Sequence, residues 1–150
     1  MGFGIFVQQP QSINNMAKTT MITLVGDGNN GKTARLKLVG SMLAQQPDFE
    51  VISCENYGNG EQFWLLRRND KKIVCINTEG DAKANVDWNW RFMMYGVCDV
   101  YVCACNSNWF EYLRKRIDPF KIIYNTEFKG EENDNEMVKK IIDTINNSLL

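Results

Sequence analysis

The chain has 150 residues, 44% of them hydrophobic, which suits one compact domain with a single buried core and leaves no room for a second. With 17 basic and 18 acidic residues the net charge is −1, so no overall positive field draws it to nucleic acid or to an anionic membrane. Histidine is absent, which excludes Ser-His-Asp and Cys-His catalysis; any chemistry must use carboxylates, lysine, arginine, a metal or backbone dipoles.

Residues 1 to 18 are polar and irregular around Gln8-Gln9-Pro10-Gln11, and read as a flexible N-terminal extension. They show neither the basic flank nor the apolar length of a secretion signal. No apolar run approaches the roughly 18 residues that span a bilayer. The five cysteines (Cys54, Cys75, Cys98, Cys103, Cys105) lie mostly in apolar, strand-like runs without a Cys-x-x-Cys pair. They read as reduced, buried small hydrophobes of a cytoplasmic protein.

From residue 19 to 150 apolar strands alternate with amphipathic helices, the pattern of an α/β layer fold in one domain. Met21 to Val25 is the first strand. Leu36, Val39, Gly40 and Leu43 form an i, i+3, i+4, i+7 stripe on the helix after it, which Gln45-Gln46-Pro47-Asp48 stops. Phe49 to Cys54 reads as a short strand and Asn56 to Gly60 as a loop. Gln62 to Arg68 and Lys71 to Asn77 read as a β-hairpin across Asn69-Asp70. A helix is predicted over Ala82 to Tyr95 with Val86, Trp90, Met93 and Met94 inward, and an apolar strand, central in the sheet, over Asp99 to Cys105. Asn108 and Glu111 are spaced as a capping box for a short helix carrying Trp109, Leu113 and Ile117. Pro119 ends that helix, Lys121 to Tyr124 is the last strand, and Asn133 with Glu136 starts the final helix.

The strongest motif is Gly26-Asp27-Gly28-Asn29-Asn30-Gly31-Lys32-Thr33, a full match to G-x-x-x-x-G-K-[ST], set between the first strand and the first helix. Glycines there let successive backbone N–H groups converge on phosphate oxygens, and the helix N-terminus adds its positive dipole end. The expected nucleotide contacts are Gly26, Asp27, Gly28, Asn29, Asn30, Gly31, Lys32, Thr33 and Ala34, with Lys32 on the β- and γ-phosphates and the Thr33 hydroxyl on Mg²⁺.

On these residues the chain resembles the P-loop NTPase superfamily, in a small kinase-like or GTPase-like single domain. The resemblance implies a three-layer sandwich, a mainly parallel sheet flanked by helices with one antiparallel hairpin strand, and a bound nucleoside triphosphate. The cofactors it implies are ATP or GTP with Mg²⁺. Around Asn77-Thr78-Glu79-Gly80-Asp81 the chain is partly similar to the Asp-x-x-Gly switch of Ras-like GTPases, but Asn77 stands where that pattern has aspartate. Glu79 and Asp81 are the candidates to replace it: Lys32, Glu79 and Asp81 as catalytic residues, Thr33 and Asp81 as metal ligands. Asp81 has an alternative reading as the N-cap of the next helix. Asn125-Thr126-Glu127-Phe128 lacks the lysine and aspartate of a guanine-reading motif, so GTP specificity is not supported.

Weaker candidates are Arg114-Lys115-Arg116 as lid cations, Tyr57 and Glu61 as substrate contacts, and Trp88 and Trp109 as exposed stacking surfaces. The expected activity is Mg²⁺-dependent NTP hydrolysis or phosphoryl transfer, to water or to an acceptor the sequence does not identify. The alternative is a slow nucleotide-dependent switch or assembly module with a protein partner. Neither nucleic acid nor a membrane is an expected partner.

Overall fold

A computed structural model describes residues 19–28, 31–117, 123–127 and 134–150; the expected extension at 1–18 lies outside them. In chain order the elements are β1 (Thr20–Gly26), α1 (Lys32–Ala44), β2 (Phe49–Asn56), β3 (Gln62–Arg68), β4 (Ile73–Asn77), α2 (Lys83–Met94), β5 (Val100–Asn106), α3 (Phe110–Ile117), β6 (Ile123–Glu127) and α4 (Asp134–Ser148). The strands form one sheet in the order β2-β3-β4-β5-β1-β6.

The sheet corrects the expected architecture: it is mixed, not the mainly parallel sheet of the predicted three-layer sandwich. β1 pairs in parallel with β5 and β6, and β4 with β5, whereas β2–β3 and β3–β4 are antiparallel. Half of the sheet is therefore a meander. The reason lies in the connections. Parallel neighbours need a crossover of a dozen or more residues, and the links β2–β3 and β3–β4 are tight turns. At the second, Lys71 takes a positive φ of 73° and Lys71 N–H donates to Arg68 O at 2.8 Å. The short strand expected over Phe49 to Cys54 is the outer strand of that meander and runs on to Asn56.

Strand alternation sends side chains to both faces. Ile22, Leu24, Val74, Ile76, Val100 and Val102 meet Leu36, Val39 and Leu43 of α1 and Val138, Ile141 and Ile145 of α4. Met21, Cys75, Tyr101 and Cys103 meet Val86 and Met93 of α2 and Leu113 and Ile117 of α3. Fully burying each such aliphatic side chain stabilises the fold by about 1.5–3 kcal/mol. β5 is buried from Val100 through Cys105, in keeping with its central place. Four cysteines are buried as expected; Cys54, on the outermost strand, is exposed. No helix among the described residues is long and apolar enough to cross a membrane.

Two local expectations change. Trp90 is half-buried rather than core, and its indole N–H donates to Asp87 Oδ1 at 3.0 Å. Asn106, not Asn108, caps the turn before α3: its side chain accepts the Asn108 N–H at 2.9 Å. Asp87 joins α2 to α3. It also accepts from the Tyr112 hydroxyl at 2.6 Å and from Lys83 Nζ at 3.0 Å, and the Tyr112 and Trp90 hydrogen bonds hold its carboxyl well below the usual carboxylate range.

That depressed pKa contributes stability in full above the unfolded carboxylate value of about 4, and the contribution falls as pH drops through and below it. Urea unfolding at pH 7 and pH 3 should therefore show a smaller acid-induced loss of stability in Asp87→Asn than in the wild type. Gly40 makes a second prediction. A Cβ there would stand 2.6 Å from the Trp64 indole, so α1 packs on β3 only through a glycine. Gly40→Ala should destabilise the protein by about 1–3 kcal/mol in thermal or urea unfolding, although alanine is the better helix former by about 1 kcal/mol.

Candidate functional site

The C-terminal ends of β1, β4 and β5 lie side by side at one end of the sheet, with Gly26 in register with Asn106, and Asn77 with Cys103. The glycine-rich segment leaves β1 here and enters α1. Gly31 is the N-cap of α1 at φ 80°, a left-handed conformation that favours glycine. Asn29 and Asn30 lie outside the described residues. Ser107, just after β5, donates its hydroxyl to Asp27 Oδ1 and ties the segment to the neighbouring strand.

Lys32, the first residue of α1, is only 4% exposed. Its ammonium folds back to donate to Asp27 O at 2.7 Å and pairs with Asp81 Oδ1 at 3.2 Å. Asp81 is thus at the cradle and is not a helix cap: Ala82 is the N-cap of α2, and its N–H is held by Asn85 Oδ1 at 3.1 Å. Cys105 lies below. Burial pushes its thiol up to about 12, against a downward pull from Lys32.

Thr33 donates its hydroxyl to Glu61 Oε1 at 2.8 Å, and Thr78 donates to the same oxygen at 2.6 Å. The Gln62 N–H in turn donates to the Thr78 hydroxyl at 2.8 Å, which fixes that hydroxyl's orientation. Glu61 had only a weak claim from sequence, as a substrate contact. β3 runs antiparallel to β4, so the residue just before its N-terminus reaches the end of the sheet where β1 and β4 finish. The readable signal was the β-hairpin; which carboxylate it would deliver was not.

A cavity of about 460 Å³ opens over this group, lined by Gly31, Lys32, Thr33, Ala34, Lys37, Glu61, Thr78 and Asp81. Gly80 lets the wall come close, because a Cβ on it would fall 1.8 Å from Ala104 O, and Asn106 N–H donates to Gly80 O at 2.8 Å. Glu79 is not part of this cavity. It lines a different one and accepts from Asn59 Nδ2 at 3.1 Å. Asn77 is also held elsewhere: it is buried, and its amide donates to Asn89 Oδ1 at 2.7 Å. Tyr101 donates to the same Asn89 oxygen at 2.6 Å, and Asn77 Oδ1 accepts the Glu79 N–H at 3.1 Å. Position 77 therefore serves the packing of α2 on the sheet. Arg114 pairs with Glu111 at 3.0 Å on α3 and does not line the cavity.

The cavity sets two cations, Lys32 and Lys37, against two carboxylates. A polyphosphate approaching Lys32 meets the Glu61 and Asp81 charges as well, and a hard divalent cation is what cancels that repulsion. The donor set suits one. Thr33 and Glu61 offer hard oxygen atoms, and Mg²⁺ takes one or two protein oxygens with the rest from phosphate and water. Among the described residues no group of three or more His, Cys, Asp or Glu could hold a metal by itself. No family model matches this chain, and neither a curated protein nor a solved structure matches it.

An aspartate at 77 would set an acceptor where the amide now donates to Asn89, inside the core. Asn77→Asp should cost about 1–3 kcal/mol of stability, measured by denaturant unfolding, and should leave the Lys32 environment unchanged.

Proposed function

We propose that this chain is a P-loop nucleoside-triphosphate-binding protein that acts with Mg²⁺ in NTP hydrolysis or phosphoryl transfer. The observation that carries the reading is the burial of Lys32 at the head of α1, its ammonium turned back onto the Asp27 carbonyl and paired with Asp81. A lysine so placed is kept from water at a cost that a phosphate ligand relieves, because phosphate oxygens take over from the internal partners. Gly31, Lys32, Thr33 and Ala34, at the start of α1, line the same cavity, and a helix N-terminus favours an anion there.

In this reading Lys32 spreads the charge of the transferred phosphoryl group, and Thr33 with Glu61 would hold the cation, which neutralises phosphate charge. Asp81 is released from Lys32 when phosphate arrives and is then a carboxylate at the cradle able to orient a nucleophile. The nucleotide is ATP or GTP. A second reading, a switch or assembly module that turns over slowly, is favoured by the withdrawal of Asn77 into a buried network and of Glu79 to a separate cavity, which leaves the cradle one catalytic carboxylate fewer.

Calorimetric titration with ATP and GTP, with and without Mg²⁺, tests the binding. The expected result is affinity that needs Mg²⁺, falls about tenfold to a hundredfold in Lys32→Ala, and loses its Mg²⁺ dependence in Glu61→Gln. Triphosphate binding indifferent to Lys32 would refute the assignment. Single-turnover assays of the same samples separate the enzyme from the switch.

A further inference from the structure

Beside the cradle lies a second cavity of about 380 Å³, lined by Tyr57, Asn77, Glu79, Ala84, Asn85 and Trp88. The two share a wall. Along Asn77 to Asp81, Thr78 and Asp81 line the cradle while Asn77 and Glu79 line the second cavity. Asn77, Thr78 and Glu79 alternate between the two sides as extended backbone does, and the bend at Asp81 returns that side chain to the cradle, so a single stretch of chain serves both.

The groups that reach this cavity are of a particular kind. Trp88 is 45% exposed. Phe92 stacks on one face of its indole, with centroids 5.0 Å apart and planes 12° from parallel, and Phe63 meets it edge-on at 5.5 Å. The indole is thus held rigid by aromatic neighbours. On the side of Ala84 and Asn85, one helical turn toward the N-terminus from Trp88, it borders the cavity. Opposite stand polar atoms with unused capacity. Asn59 holds one oxygen of Glu79, and among the described residues nothing bonds the other. Asn85, which lines the cavity, uses its carbonyl on the Ala82 N–H, and among the described residues nothing bonds its amide NH₂. Tyr57 adds a phenol whose proton is held more tightly by desolvation and by the Glu79 charge.

We propose that this cavity binds a planar heteroaromatic ring of the nucleobase class, stacked on Trp88 with its donor edge read by Glu79 and its acceptor edge by Asn85. A rigid indole flanked by one free carboxylate oxygen and one free amide complements a flat ring carrying both donors and acceptors. An aliphatic ligand would leave both polar groups unpaired. The inference rests on the nucleotide reading of the cradle for its choice of ring. That ring has two possible sources, the base of the triphosphate held by Lys32 or a separate acceptor nucleoside.

Tryptophan fluorescence and saturation-transfer NMR with adenosine, guanosine and cytidine, and with ATP and GTP plus Mg²⁺, test it on the full chain. Trp88→Ala, Glu79→Gln and Lys32→Ala are compared with Trp109→Phe as a control, and circular dichroism checks that α2 is intact. The expected result is a saturable response that Trp88→Ala weakens about tenfold to a hundredfold and Trp109→Phe leaves unchanged. Glu79→Gln should alter the order of preference among the bases, which a purely structural role would not do. Nucleoside binding that persists when the cradle is saturated with triphosphate and Mg²⁺ identifies a separate acceptor. Ring contacts seen only with triphosphates, and lost in Lys32→Ala, identify the base of the bound nucleotide. Triphosphate binding that needs Lys32 but ignores Trp88 and Glu79 overturns this inference and leaves the cradle reading standing. Nucleoside binding through Trp88 with triphosphate binding indifferent to Lys32 does the reverse. No response from any of the five ligands overturns it outright.

Discussion

The ammonium of Lys32 is almost wholly removed from water, and the rest of the site is arranged around keeping it satisfied. A buried ammonium without partners is destabilising by several kcal/mol, so its neighbours are constrained to supply oxygen atoms. Asp27 does so through its backbone carbonyl and Asp81 through its carboxylate. The first contact ties Asp27, just after β1, to the start of α1. The second holds the end of the β4–α2 connection against the cradle. Gly80 makes that approach possible, since its backbone lies directly against the carbonyl of Ala104 on β5.

Glu61 extends the same logic to the opposite wall. One carboxylate oxygen accepts from Thr33 and from Thr78, so the head of α1, the start of β3 and the end of β4 converge on a single atom. These bonds are short and charge-assisted, the stronger kind of hydrogen bond. They keep the Thr33 hydroxyl facing the cavity. They also connect the cradle to the antiparallel meander, the part of the sheet that departs from the expected parallel arrangement.

Beneath these contacts, Asn77, Asn89 and Tyr101 form a buried polar network in which each amide is paired. Asn89 reaches Glu79 O at 3.0 Å and fixes the direction in which Glu79 leaves the sheet. From Asn77 to Asp81 the side chains are therefore divided between two sides: Asn77 and Glu79 on a core network and a second cavity, Thr78 and Asp81 on the cavity around Lys32. The bend at Asp81 breaks the strand alternation, so two acidic residues only two positions apart, Glu79 and Asp81, have different surroundings.

The glycine-rich segment between β1 and α1 was legible in the sequence because its information is local. Gly26 to Thr33 are contiguous, and the strand before and the helix after them follow from periodicity within a few residues on either side. The helices α1, α2 and α4 and the strands β1 and β3 to β5 were legible for the same reason: burial on one face or two leaves a period of 3.6 or 2. What tertiary structure alone decided is everything that depends on which strands pair. The insertion of β5 between β1 and β4, the mixed sheet, the delivery of Glu61 to Thr33 and the withdrawal of Asn77 and Glu79 all arise from contacts between residues far apart in the chain. Periodicity specifies which face of an element is buried. It carries no record of the partner that buries it, and at this site the partner determines which carboxylate meets Lys32 and Thr33.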